Sequence, residues 1–219
     1  MEFKIEKTSF YRNPFVGLFL KTNNNLTLVP KNTPHKLLAQ VGRVLKTKAL
    51  SFYVNQSSLL GVFCALNDNG CVVSEFAEKE ELGLLKKQGL NVILLNRYSP
   101  GNNILCNNKA CLVNPEIPAT EAKKIGDCLG VEVFRQKIGI RTSGSANVVT
   151  DKGLLAFNET SEVEMKYLEK IFGIKGIVTT TNFGNPFNGF AVVANAKGAL
   201  VGETSTGVEV QRIFEALSG

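Results

Sequence analysis

The residues most able to do chemistry in this chain are its five cysteines, Cys64, Cys71, Cys106, Cys111 and Cys128, and its single histidine, His35. A cysteine attacks as the thiolate, so a catalytic thiol needs a base or a cation beside it. His35 follows Pro34 where a helix is expected to begin, which puts it at a surface helix end, away from the cysteines. The same missing partner removes a serine triad. The cysteines do not read as metal ligands: there is no CxxC, and Cys106 and Cys111 are five residues apart, outside the usual zinc spacings. They are expected to be free, buried thiols of a reducing cytoplasm. No GxxxxGK[ST] or GxGxxG loop is present, and GIRTSG at Gly139–Gly144 does not lead into a helix. The run Glu78-Lys79-Glu80-Glu81 is expected to be the polar face of a helix, not a pair of working acids. These residues predict no enzyme, no metal and no cofactor.

What the sequence has instead is a repeat, and the repeat dictates where every other residue stands. NPFVG at Asn13–Gly17 returns as NPFNG at Asn185–Gly189. The offset of 172 residues is four periods of 43, and three further copies lie between. The anchor glycines are Gly17, Gly61, Gly101, Gly144 and Gly189, spaced by 44, 40, 43 and 45. Six residues after each stands a turn residue: Asn23, Asn67, Asn107, Thr150 and Asn195. Each anchor is expected to begin a strand, followed by a turn and a second strand. Gly70, Gly153 and Gly198 are expected to supply positive φ in the turn. The proline of NPFxG fits repeat geometry, fixing the chain as it enters the strand.

A helix should follow each hairpin. The first is predicted to open at Thr33-Pro34, with Leu37, Leu38, Val41, Val44 and Leu45 as its apolar stripe. Ser161-x-x-Glu164 and Thr206-x-x-Glu209 are capping boxes for the fourth and fifth. The second and third fall near Glu78–Lys87 and Thr120–Leu129. Gly89, Gly130 and Gly173 fit helix C-caps. Third strands are expected at Leu50–Val54, Leu90–Leu95, Val131–Phe134 and Ile174–Thr179.

The fifth unit has no third strand after its helix, yet the chain carries a spare strand at Glu2–Ser9. Closure is the simplest solution, because a closed ring leaves no unpaired terminal edge. The expected fold is therefore α/β: one pentein, or α–β propeller, domain over 1–219, made of five ββαβ units in a closed pseudo-five-fold ring. The units fall near 14–56, 57–96, 97–137, 138–181 and 182–219, the last completed by the N-terminal strand 2–9. Each helix is expected outside, against its own small sheet. The anchor positions should gather around one axis. Catalytic penteins act on guanidines through a cysteine, a histidine and carboxylates, so a degenerate guanidine hydrolase or amidinotransferase is the alternative reading; the isolated His35 opposes it. Net charge is +6, from 25 basic and 19 acidic residues, a modest excess that favours an anionic partner. With 44% hydrophobic residues and only strand-length apolar runs, the chain reads as a cytoplasmic monomer with no membrane span.

Four stretches carry a family resemblance: VEVFRQ at Val131–Gln136, GNNILCNNKACLVNPE at Gly101–Glu116, GSANVVTDKGLL at Gly144–Leu155 and ANAKGALVGETSTGVE at Ala194–Glu209. With them, nearly the whole chain resembles the translation initiation factor 6 family, ribosome anti-association factors of archaea and eukaryotes. The resemblance implies a ring that sits on the large ribosomal subunit beside the sarcin–ricin loop and a neighbouring ribosomal protein, contacting rRNA and blocking the small subunit. It implies a contact surface at one end of the axis, at Gly17, Gly61, Val62, Gly101, Asn102, Gly144 and Ser145. Eukaryotic relatives carry a basic residue where this chain has Val62, and a long tail that this chain, ending at Gly219, lacks; that pattern fits the archaeal type.

Overall fold

The computed structural model describes residues 2–135 and 139–219. Gln136 and the expected 137/138 unit boundary lie outside the described residues. Fifteen strands are described: β1 (Lys4–Thr8), β2 (Lys21–Thr22), β3 (Leu26–Val29), β4 (Lys48–Ser51), β5 (Cys64–Leu66), β6 (Gly70–Ser74), β7 (Asn91–Leu95), β8 (Ile104–Cys106), β9 (Ala110–Val113), β10 (Glu132–Phe134), β11 (Val148–Val149), β12 (Gly153–Ala156), β13 (Lys175–Val178), β14 (Val192–Asn195) and β15 (Gly198–Gly202). The outer helices are α1 (His35–Gln40, continued by a π-helical turn, Val41–Leu45), α2 (Lys79–Lys86), α3 (Ala119–Leu129), α4 (Glu162–Phe172) and α5 (Gly207–Leu217).

The strands form five three-stranded sheets, each an antiparallel hairpin with a third strand added in parallel. The last sheet is completed by β1, which pairs with β15 from Lys4 opposite Gly198 to Thr8 opposite Gly202. The pentein ring is thus closed by its N-terminal strand, as the unpaired fifth unit predicted.

The middle strand of each sheet is buried on both faces, which is why LTLV, ACLV and GLLA read as continuous apolar runs with no alternation. Its two faces serve different cores. In β9, Ala110 and Leu112 pack with Leu154, Leu168 and Phe172 of the fourth unit. Cys111 and Val113 pack with Ala65, Val72 and Leu95 of the second. One sheet therefore needs two helices to cover it. Here the structure corrects the expectation that each helix rests on its own sheet: α3 wedges between β6, β7 and β10, and α5 lies over β12 and β13 of the preceding unit. The cores sit between units, not within them.

The same wedging corrects the role of three glycines. Gly70, Gly153 and Gly198 do not have positive φ. A side chain there would run into the backbone carbonyls of Cys128, Ala216 and Val44, at the C-terminal end of the next unit's helix. They are glycines because a helix comes close. Positive φ is used where α3 and α4 end, at Gly130 (66°) and Gly173 (63°), and at Gly89 (84°) after α2.

Other boundaries shift. Pro34 is the N-cap of α1, because the Thr33 hydroxyl donates back to the Pro30 carbonyl (2.7 Å). The first unit's third strand starts at Lys48, two residues earlier than expected, after Lys46 turns the chain with φ of 52°. Among the described residues no helix is long and apolar enough to cross a membrane.

Candidate functional site

The anchor glycines do not begin strands. Each lies in a single helical turn just before its strand: Val16–Leu18, Leu60–Phe63, Pro100–Asn103, Ser143–Ala146 and Asn188–Ala191. NPFxG serves these turns through its asparagine, since Asn13 and Asn185 Oδ1 accept the amides of Phe15 (2.9 Å) and Phe187 (2.8 Å). The turns meet on the axis. A methyl group on Gly17 would strike the carbonyl oxygen of Gly189; on Gly61, that of Gly17; on Gly101, that of Gly61; on Gly144, that of Gly101; on Gly189, that of Gly144. The five contacts form a closed circuit, an iris of bare backbone.

All seven residues expected at the contact surface are brought together at this end. Gly17, Gly61, Gly101 and Gly144 are buried in the iris. Val62 and Asn102 stand beside it half-buried, open to a partner. Ser145 is buried, and its hydroxyl donates to the Thr142 carbonyl (2.9 Å). Asn102 Oδ1 is itself buried and has no hydrogen-bond partner among the described residues, an unsatisfied acceptor at the edge of the iris.

Around the iris stands a rim that sequence reading missed. Two-residue turns at Tyr11-Arg12, Asn55-Gln56 and Asn182-Phe183 all have positive φ, between 47° and 66°. Such turns favour asparagine followed by glycine, so Tyr-Arg gives no signal; the asparagines at 55 and 182 were the available hint. They lift Tyr11 (61% exposed) and Phe183 (83% exposed) into solvent. Capping-box glutamates hold two of these turns, at Asn55 and Phe183, and a further backbone segment at Gly139. Glu81 accepts the Asn55 amide (3.1 Å), Glu164 the Gly139 amide (2.6 Å), and Glu209 the amides of Phe183 (3.1 Å) and Gly184 (2.9 Å). Burial raises the Glu209 carboxyl, but its bonds from Thr206, Gly184, Thr180 and Phe183 outweigh burial and hold it below the usual carboxylate range. Glu81, expected only to solvate a helix face, therefore has a positioning role.

The opposite end of the axis is closed by side chains. Asn23, Asn67 and Asn107 donate their amides to the carbonyls of Asn67, Asn107 and Thr150, and Asn195 donates to Asn23 (2.8–3.1 Å). The turn residues thus chain the units together, except where Thr150 has no amide to give. One residue further on, Asn24 and Asn108 each share an Nδ2 amide between Asp68 Oδ2 and Asp151 Oδ2, at 2.7–2.8 Å. Two carboxylates and two amides make a square plug. The repeat pointed to these turns but not to the plug, since it takes four different units to build it.

Between iris and plug lies a cavity of about 60 Å³, lined by Leu20, Lys21, Leu66, Cys106 and Val149. The Lys21 ammonium has no hydrogen-bond partner among the described residues; the surface it keeps faces this channel. Burial lowers its pKa, against the pull of Cys106, Cys64 and Cys71. The thiols are the reverse of activated. Burial pushes Cys106 up to about 12 and Cys128 to about 11, and a hydrogen bond with Cys64 together with burial holds Cys71 well above the usual thiol range. His35 is exposed at the start of α1, outside the channel. Among the described residues no group of three histidine, cysteine or acidic side chains could hold a metal.

The family model and the curated relatives point to one family. Residues 5–216 match the model of the eIF-6 family. The protein named translation initiation factor 6 from Saccharolobus islandicus is 39% identical over 97% of this chain and 98% of its own length. Its namesake from Picrophilus torridus is 36% identical over 98% and 100%. That from Pyrococcus abyssi is 35% identical over 97% and 98%. With a pentein ring closed by its first strand and relatives matched along their full length, this chain belongs to the eIF-6 family.

Proposed function

We propose that this protein acts in translation initiation as a binding factor. It docks on the large ribosomal subunit through its glycine end and keeps the small subunit from joining. The observation that carries the reading is the full-length match to proteins named for initiation. The geometry gives it a physical basis. An iris made of backbone has few side chains to order on docking, so little entropy opposes it. Val62 and Asn102 supply an apolar and a polar contact beside the iris, and the aromatic rim at Tyr11 and Phe183 extends it. The partner is a ribosomal protein near the sarcin–ricin loop together with rRNA. Blocking needs only occupancy, so the protein works as a cytoplasmic monomer without catalysis; raised thiols and an exposed His35 support that.

The test is sedimentation. Purified protein mixed with isolated subunits on a sucrose gradient should travel with the large subunit and reduce the joined-ribosome peak. Failure to co-sediment, or an unchanged peak at saturating protein, overturns the reading.

A further inference from the structure

The outer helices all run the same way along the axis. Their N-terminal glutamates hold turns at the glycine end. The C-terminal carbonyls of α3, α5 and the π-helical turn after α1 crowd the first residues of β6, β12 and β15, next to the plug. Helix termini attract opposite charge, and acids have accordingly gathered at the first end: Glu80, Glu81, Glu121, Glu162, Glu164 and Glu209 lie in first turns. At the plug end three of the five units begin their outer strand with lysine, and the third begins it with Glu132.

Strand register places them. The outer strand's first residue at this end is Lys48 (opposite Leu26), Lys175 (opposite Gly153) and Lys4 (opposite Gly198) in the first, fourth and fifth units. In the second and third units it is Asn91 and Glu132. The hairpin turns add Lys109, Lys152 and Lys197 in the third, fourth and fifth units, Lys109 being tied to the Gly173 carbonyl (3.3 Å). The third, fourth, fifth and first units are consecutive around the ring, so these lysines form one arc. Lys4, Lys48, Lys152 and Lys175 are exposed. Among the described residues only Lys175 of these four has an ion-pair partner, Glu169 at 3.3 Å, with its own side chain 92% exposed. Lys197 is tied to the carbonyls of Asn24 (2.6 Å) and Lys46 (3.5 Å), bracing the arc. Asp68 and Asp151 are committed to the plug amides.

We propose that this arc is a second binding surface, opposite the docking end, that takes the phosphate backbone of duplex RNA. None of the exposed large apolar side chains, Tyr11, Phe76, Leu84, Leu94, Val163, Phe183, Val208 and Phe214, lies on the plug turns or at these strand starts. A protein interface wants an apolar anchor and a membrane surface wants an apolar face. Single strands are gripped by aromatic stacking, which the arc also lacks. Duplex phosphates need only positioned cations. The inference goes beyond the docking reading and does not depend on it.

Fluorescence anisotropy with a labelled 20-base-pair RNA duplex tests it. Four phosphate contacts give a log–log salt slope of about −3 to −4, so binding should weaken about 100-fold between 50 and 200 mM KCl. The quadruple variant Lys4→Gln, Lys48→Gln, Lys152→Gln, Lys175→Gln should bring the slope toward zero, and the corresponding arginine variant should keep it. No binding by the parent protein, or equal binding by the glutamine variant, overturns the proposal. If the glutamine variant does not fold, acetylation of the parent protein decides: duplex should shield Lys48 and Lys152, and unshielded lysines refute the arc. Asn102→Arg should bind duplex normally while failing on the large subunit. If instead the glutamine variant alone loses the subunit, the arc stands and the docking face is wrong.

Discussion

At the glycine end, the axis is closed by backbone carbonyls pressed against glycines, with side chains only around the rim. At the other end it is closed by asparagine and aspartate side chains, bonded to one another and to the backbone of the neighbouring turns. The two ends occupy equivalent places in every repeat, yet one tolerates no side chain and the other consists of them. The first is rigid because nothing can be inserted. The second is specific because four particular groups must be present together. A rigid end suits presentation to a partner, whereas a hydrogen-bonded end suits holding the units in register.

The most severe way to break this contrast is to put a side chain into the iris. Gly101→Val should destabilise the protein by more than about 4 kcal/mol, because the nearest atoms in the way are all backbone of the neighbouring unit, at Gly61 and Cys64. Denaturant unfolding would read this, and a loss below about 1 kcal/mol would mean the iris can widen. The plug should respond less. Asp151→Ala strands donors of Asn24 and Asn108 and should cost about 3 kcal/mol. The channel between the ends should respond in the opposite direction. Lys21→Met removes an unpartnered ammonium and should stabilise by about 2 kcal/mol at neutral pH. The sign of its pH dependence follows from a folded pKa below the unfolded value of about 10.4. Between the two values the unfolded chain binds the extra proton, so the parent gains stability as pH rises through that window. The advantage of the methionine variant should therefore shrink toward pH 10, in paired melts that share the same thiols. A variant no more stable than its parent would mean that the plug carboxylates already balance Lys21. Smallest in stability is Asn102→Arg, within about 1 kcal/mol, because the residue is only half-buried and the buried oxygen it removes makes no hydrogen bond. Its effect should appear in docking, as weakened co-sedimentation with unchanged circular dichroism.

Much of this was legible in the residues. The spare strand and the 172-residue offset gave closure, and the spacing of the glycines gave one axis. What could not be read was the reason for each glycine. Gly17 and Gly70 look alike in sequence, but one is kept bare by another iris carbonyl and the other by the end of a neighbouring helix. Close approach between distant segments leaves no local signal. Lys21 was hidden for a similar cause: a two-residue strand has no alternation from which to read its inner face. The glutamates at 164 and 209 were recognised for their capping boxes, while the hold of Glu209 on the rim turn at Phe183, some 26 residues away, was invisible. Four of the five thiols were read correctly as buried because burial is what cysteine does by default; Cys106, lining the channel, is only half-buried.

The pairing of β1 with β15 also sets an order of events. The first strand made is the last to find its partner, which is synthesised almost a full chain length later. Until then Phe3 has no core to enter, since Val201, Ile213 and Leu217 around it come from the same late segment. The entropy of closing so long a loop grows only slowly with length, so the cost falls on time more than on stability. The ring can be clasped only once β15 has been made, and its glycine end becomes rigid only at that moment.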